Sequence, residues 1–268
     1  MTETPDGNGS GLPDYFGESI AANYDDDVSP AFAPAVIERT ADFLAGLVGP
    51  AGAAGPDGRR ALELGIGTGR VALPLSERGV EIHGIDLSRA MVAKLRQKPG
   101  GEAINVTFGD FATATAGEPG TFRLAYLVFN TIMNLTTQDA QVDCFRNVAA
   151  HLEPGGRFVV EVHVPELRSL PHGQQAVPFH VSPTHWAFDH YDVATQSMSS
   201  NYITVEEGRG SIHSIPFRYV WPAELDLMAR IAGMRLVERW EDWGREPFTS
   251  ESRKHISVWQ KLADAESR

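Results

Sequence analysis

Cysteine is almost absent from this chain of 268 residues. Cys144 is the only one, so no disulfide can close within the chain, which fits a reducing, cytoplasmic setting. Basic residues are scarce as well. Lys and Arg number 23 against 35 Asp and Glu, a formal net charge of -12, and the first basic residue is Arg39. A field of that sign repels phosphate backbones and anionic lipid, so neither nucleic acid nor a membrane is expected as a partner. Long hydrophobic runs are missing. The stretch FLAGLVGPAGAAG is broken by Gly and Pro, well short of the roughly 18 apolar residues that span a bilayer. The opening MTETPDGNGSG is polar and glycine-rich, unlike a secretory signal. Spacings such as H-E-x-x-H or C-x-x-C are absent, so no metal site is expected. What the chain does have is 42% hydrophobic, 22% charged and 9% aromatic residues. That is enough to build a core, and it excludes global disorder.

The pattern along the chain alternates. Residues 1–14 read as a flexible tail. Val36, Ile37, Thr40, Leu44 and Leu47 then fall on one helical face, and GPAGAAGPDGRR (49–60) reads as loop. Strands are expected at ALEL (61–64), VEIHGID (80–86), INVTFGD (104–110), FRLAYLVFN (122–130) and RFVVEVHV (157–164), with helices between them. The helix after Thr137 is expected to stop at Pro154-Gly155-Gly156. Such alternation predicts an α/β fold, a doubly wound and mostly parallel sheet with right-handed crossovers. Between 166 and 221 the pattern changes to three β runs, HWAFDHYD, QSMSSNYITV and SIHSIPFRYVW, read as an inserted antiparallel β cap. A helix from Pro222 and two strands, MRLVERWEDW and KHISVWQK, complete the core. The organisation expected is a tail (1–14), a core with an N-terminal lid (15–165), the cap (166–221) and a closing segment (222–268).

The most informative run is Glu63-Leu64-Gly65-Ile66-Gly67-Thr68-Gly69, a strand entering three alternating glycines and then a helix. Glycines there let a ligand meet the backbone, and a helix N-terminus presents unpaired N–H groups. The dinucleotide fingerprint needs its third glycine at position 70, which is Arg70, so NAD and FAD are disfavoured. Asp86 ends the second strand, where a carboxylate can accept from ribose hydroxyls; in Asp86-Leu87-Ser88 it can also simply start a helix. Asp110, followed by Phe111, could accept from an adenine amino group or could cap an ordinary turn. Acidic groups at three successive strand regions share one sheet edge, which favours a ligand.

These runs together resemble the class I S-adenosylmethionine-dependent methyltransferases. The resemblance rests on ELGIGTG, the Asp86 strand, Gly109-Asp110-Phe111, the fourth strand reaching Asn130, and LEPGG before the fifth, within residues 61–164. It implies S-adenosyl-L-methionine as cofactor. The Glu63-to-Gly69 run would hold its methionine part, Asp86 with Leu87 its ribose, and Asp110 with Phe111 its adenine. The span from Phe129 and Asn130 to Asn134 would face the methyl group. The segment DYFGESIAANYD is more weakly similar to the lid of small-molecule methyltransferases, amino-sugar N-methyltransferases among them, which nominates Tyr15 and Tyr24. The sugar enzymes tend to carry a histidine just after the fourth strand, where this chain has Asn134.

The cofactor set expected is therefore Tyr24, Glu63, Gly65, Gly67, Gly69, Asp86, Leu87, Asp110, Phe111, Phe129 and Asn130. Histidine is the natural proton acceptor near neutral pH. His163, at the exit of the fifth strand, heads the catalytic set, with Tyr15 and Asn134. His185, His190 and His213 lie in the cap, where an exposed strand accounts for them. Cys144 reads as core, and Asp25-Asp26-Asp27 as a solvated charge run. Trp186, Tyr191, Tyr202, Phe217, Tyr219 and Trp221 make the cap aromatic, as a pocket lid, a homodimer interface or the inner face of a small sheet. The function expected is methyl transfer to N or O of a small-molecule acceptor. A cyclase or rearrangement catalyst using the same cofactor, an adenosyl-ligand sensor and a nicotinamide oxidoreductase remain as alternatives.

Overall fold

The computed structural model describes residues 14–26, 30–49, 58–206 and 208–263. The expected tail, apart from Asp14, most of the 49–60 loop and Asp27 lie outside the described residues. Within them, strands β1 (Arg60–Leu64), β2 (Glu81–Asp86), β3 (Asn105–Phe108), β4 (Phe122–Leu127) and β5 (Leu152–His163) are joined by β10 (Met234–Trp240) and β11 (Lys254–Lys261). They form one seven-stranded sheet in the order β10-β11-β5-β4-β1-β2-β3. β1 to β5 run parallel, and β11 lies antiparallel between β5 and β10. The order reverses at β1, with β2 on one side and β4 on the other, which opens a crevice at the carboxyl ends of these strands.

Helices cover both faces. α2 (Pro34–Val48), α3 (Ala72–Glu77) and α4 (Arg89–Gln97) pack with Leu44, Leu75 and Leu95 in one apolar cluster. α5 (Gln138–His151) and α6 (Pro222–Ile231) pack with Phe145, Val148 and Leu225 in the other. A short α1 (Glu18–Ala21) lies in the N-terminal segment. Cys144 is fully buried in the second cluster, and burial pushes its thiol well above the ordinary range, so it is core as expected. The local signals are the ordinary ones. Ser88 caps α4 by accepting from Met91 N at 3.3 Å, and Thr137 caps α5 by accepting from Ala140 N at 3.1 Å. β1 is buried on both faces because it is a central parallel strand.

Two expectations are corrected. The Pro154-Gly155-Gly156 run does not separate helix from strand; α5 ends at His151 and β5 begins at Leu152, running through the glycines. The register jumps from Phe122↔Leu152 to Leu124↔Arg157, so the run forms a bulge, with Gly155 at φ 81°. The cap has four strands, not three: β6 (Ala176–Val181), β7 (His185–Tyr191), β8 (Ser197–Glu206) and β9 (Arg209–Arg218), an antiparallel sheet in that order. Pro178 hides β6 from a pattern search, because proline lacks the ladder N–H; β6 is an edge strand, where that loss is tolerated.

One cap face meets the core through Tyr191 and Tyr219, whose ring centroids are 5.6 Å apart. Arg218, 5% exposed, fastens it by an ion pair to Glu224 at 2.7 Å and a hydrogen bond to Gln141 Oε1 at 2.5 Å. Val181, Trp186, Ile203 and Ile212 fall in register across the four strands on the other face. No helix among the described residues is long and apolar enough to cross a membrane.

Candidate active site

The register Leu64↔Ile85 brings the glycine loop beside the end of β2. Gly65 N and Ile66 N donate to the Ile85 carbonyl at 2.8 and 3.1 Å. Gly65, Gly67 and Gly69 all have positive φ (69°, 54° and 74°), a region that side chains disfavour. A Cβ at Gly69 would lie 2.3 Å from Leu95 Cδ1, and one at Gly65 2.7 Å from Thr131 Cγ2. The loop therefore needs glycine for its path and its packing at once.

Asp86 is 8% exposed and sits under this loop. Its Oδ2 accepts from Gly67 N at 2.6 Å and its Oδ1 from Ser88 N at 2.7 Å. Burial raises its pKa to about 6 in spite of these N–H groups and the Leu87 amide. A carboxylate offers about four acceptor positions, more than these contacts use. Glu63, 3% exposed, accepts from Tyr126 Oη at 2.8 Å. Burial lifts its pKa to about 8 against the lowering effect of Tyr126 and Arg70. Two acidic side chains thus stand buried beneath one loop.

The N-terminal segment closes over it. Ser88 Oγ donates to the Phe16 carbonyl at 2.8 Å. Thr68 Oγ1 donates to Asp25 Oδ1 at 2.7 Å, and Lys98 Nζ pairs with Asp25 Oδ2 at 2.7 Å. Asp25 is exposed, as expected of a solvated run, and it also ties the N-terminal segment to the loop. Arg70 donates to the Ala31 carbonyl at 3.0 Å and lies 4.4 Å over the Phe32 ring and 5.3 Å from that of Phe129. Tyr24 meets Phe32 edge-on at 5.4 Å. Sequence reasoning treated Arg70 only as a broken fingerprint; no spacing rule announces a cation stacked between lid and sheet edge.

Beyond β4 the chain turns in an uncommon way. Phe129 and Asn130 are consecutive non-glycine residues at φ 55° and 63°, and each such conformation costs on the order of 1 kcal/mol or more. β5 grips the turn. Phe129 N donates to Glu161 Oε2 at 3.1 Å, Asn130 N to the Glu161 carbonyl at 3.1 Å, and His163 N to Asn130 Oδ1 at 2.8 Å. The Asn130 Nδ2 and His163 Nδ1 atoms lie 3.4 Å apart. His163 is exposed as a residue, yet protein crowding its imidazole lowers its pKa from the ordinary value, with Glu161 opposing. Neutral imidazole at the sheet edge can accept a proton.

The other expected residues make local contacts, with Gly109 N, beside Asp110, donating to the Asp86 carbonyl at 3.0 Å. Asp110 Oδ1 accepts from Ala112 N at 2.8 Å, as a turn aspartate does, and Phe111 packs against the core cluster that includes α5. Asn134 ends a short 3₁₀ helix (Thr131–Asn134), half-buried, and Tyr15 lies half-buried in the turn before α1. Among the described residues no hydrogen bond joins the side chains of Tyr15, Asp110 or Asn134 to the Asp86 or His163 groups. His185, His190 and His213 are exposed on cap strands. No group of three or more His, Cys, Asp or Glu able to hold a metal occurs among the described residues.

Residues 61–156 match the model of a methyltransferase domain. The chain is 38% identical to the CcbJ methyltransferase from Streptomyces caelestis, whose structure superposes with a TM-score of 0.77 over 93% of this chain and 98% of that one. This chain belongs to the S-adenosylmethionine-dependent methyltransferases. The methyltransferase is also 29% identical over 217 residues to the cypemycin N-terminal methyltransferase of a Streptomyces species, which covers 76% of this chain and 84% of that one. It shares its fold, at 21% identity and a TM-score of 0.60, with an S-adenosylmethionine-bound amino pentose methyltransferase from Micromonospora echinaspora; the match covers 90% and 95% of the two chains. S-adenosyl-L-methionine is its cofactor. The residues present fit that group: a buried carboxylate with acceptor capacity left over, beside a loop whose glycines carry no side chain toward it.

Proposed function

We propose that the methyltransferase acts on a nitrogen of a small molecule, an amine, within the crevice between the glycine loop and the β4–β5 edge. The observation that carries the cofactor's placement in this reading is the buried Asp86 carboxylate under the loop of positive-φ glycines. In it Asp86 accepts from the ribose hydroxyls with Leu87 beside them, and Glu63 with Gly65, Gly67 and Gly69 surrounds the methionine part. Asp110 and Phe111 border the adenine. Tyr24 closes the lid, while Phe129 and Asn130 flank the methyl group. S-adenosylmethionine supplies an electrophilic methyl carried by a sulfonium. The protein's share is chiefly alignment and exclusion of water, which can supply roughly 7–11 kcal/mol of rate acceleration. His163, with lowered pKa, takes the ammonium proton, with Tyr15 and Asn134 beside the acceptor. Residues 166–221 serve as the acceptor's cap.

Nitrogen is favoured over oxygen on two grounds. The relative at 29% identity acts on an amino terminus by name. An amine also needs only a modest base, which a neutral histidine provides, whereas an aliphatic alcohol needs far more. Labelled S-adenosylmethionine incubated with matched amines and alcohols tests this. Gain of one methyl by amines alone is expected; gain by alcohols alone overturns the choice of nitrogen. Cofactor binding with no acceptor methylated in a broad panel would return the cyclase and sensor readings to the front.

A further inference from the structure

Glu161 is the most heavily used buried acid outside the residues assigned above. It is 7% exposed on β5. Three donors converge on its carboxylate: Phe129 N on Oε2 at 3.1 Å, and Trp243 Nε1 at 3.1 Å and Lys254 Nζ at 3.0 Å on Oε1. Its backbone carbonyl accepts from Asn130 N as well. One residue therefore satisfies both amides of the left-handed Phe129–Asn130 turn, and Trp243 and Lys254 fix its carboxylate from the far side. The turn leads straight into Thr131, whose methyl lies against Gly65 with no room for a Cβ between them. The Phe129 ring meets Phe32 edge-on at 5.2 Å and lies under Arg70. A shift of this turn would reach the glycine loop and the lid together.

We infer that Glu161 is a positioning residue for methyl transfer: its carboxylate, oriented by Lys254 and Trp243, holds Phe129 in the left-handed conformation that presents the turn to the donor methyl. The inference rests on the proposed placement of Phe129 and Asn130 beside that methyl. A phenylalanine gains nothing intrinsic from positive φ, unlike glycine or asparagine, so an external restraint must supply it. The chain offers that restraint at the Phe129 amide and on the other side of the turn at Asn130.

Glu161→Gln is nearly isosteric and leaves a single acceptor oxygen for three donors. Turned toward Trp243 and Lys254, that oxygen satisfies two donors and abandons the Phe129 amide. Two readouts separate the claims. Amide exchange at Phe129, followed by nuclear magnetic resonance in the cofactor-free protein, should accelerate at least tenfold while the β1 and β2 amides hold. Turnover at saturating cofactor should fall about tenfold, with the KM for S-adenosylmethionine changing less than threefold. Adding Lys254→Met removes the competing cation and should restore part of the Phe129 protection. Unchanged exchange at Phe129 overturns the inference whatever the activity. Faster exchange with normal turnover leaves the restraint real but overturns the placement of the turn beside the methyl. Should the variant fail to fold, exchange in Lys254→Met alone, which loosens the same carboxylate, decides the matter with the same signs.

Discussion

The two halves of the sheet's carboxyl edge solve the same problem by different means. On the β1–β2 side, a loop and a carboxylate 19 residues apart meet through a backbone N–H, so that side is made almost wholly from one strand–loop–helix–strand unit. On the β4–β5 side the partners come from far away: Glu161 meets Phe129 across 32 residues, Trp243 across 82 and Lys254 across 93. Charge differs too. Among the described residues the two buried acids of the first half make no ion pair, whereas the second half pairs its acid with a lysine. Burying an unpaired carboxylate is costly, and the group responds by holding its proton. The first half thus holds its acids by burial and hydrogen bonds, whereas the second fixes its acid with an ion pair.

The largest expected effect tests that contrast through pH. Folding raises the pKa of Glu63 from 4.5 to about 8 and of Asp86 from 3.8 to about 6. A group whose pKa is raised in the folded state gives stability that is full below its unfolded value and is lost as pH climbs through the folded one. These two acids lower the unfolding free energy between about pH 4 and pH 8, while His255, whose pKa burial lowers to about 3, raises it up to about pH 6.5, so the net fall of the cofactor-free protein should show above about pH 6.5. Glu63 alone accounts for something on the order of 5 kcal/mol of that loss. Glu63→Gln should flatten the upper part of the slope, above pH 6, in urea titrations run across the range. A slope identical to that of the unaltered protein would mean that Glu63 ionises freely, and the contrast between the halves would vanish.

A smaller effect concerns binding. Removing Asp86 as Asp86→Ala deletes a charged acceptor, a contact of about 1.5–3 kcal/mol, so cofactor affinity measured by calorimetry should fall roughly 10- to 150-fold. The variant also strands the Gly67 and Ser88 amides, so a drop in thermal midpoint should accompany the loss. Unchanged affinity would leave Asp86 as a helix-starting aspartate and nothing more.

The same contrast explains what the sequence revealed. ELGIGTG and the Asp86 strand are legible because their chemistry is local: glycine at positive φ and an acid at a strand end are written within about twenty residues. The sheet followed from alternation, and its family relationship is borne out. Glu161 and Lys254 left no such trace. Each is an unremarkable residue in its own strand or loop, and only pairing β5 with β11, which sets Lys254 opposite His163, brings them together. The contacts of Asp25 left no trace for the same reason, since its partners Thr68 and Lys98 lie 43 and more residues on. β6 was lost to one proline.

His163 stands where the two halves are expected to cooperate, so its replacement separates them most finely. Its main chain belongs to the frame, donating to Asn130 Oδ1, while its crowded imidazole stays neutral near pH 7. His163→Ala keeps the backbone contact and removes only the ring. Cofactor affinity should hold, and turnover near pH 7 should fall about tenfold, equivalent to roughly 1.4 kcal/mol in the barrier. If the ring serves to take the acceptor's proton, the deficit must shrink at higher pH, because bulk solvent then delivers the amine already deprotonated. A deficit equal at pH 7 and pH 9 would point instead to loss of orientation at Asn130. Normal turnover at both would remove His163 from the chemistry and leave the Phe129–Asn130 turn as the whole of the second half's contribution.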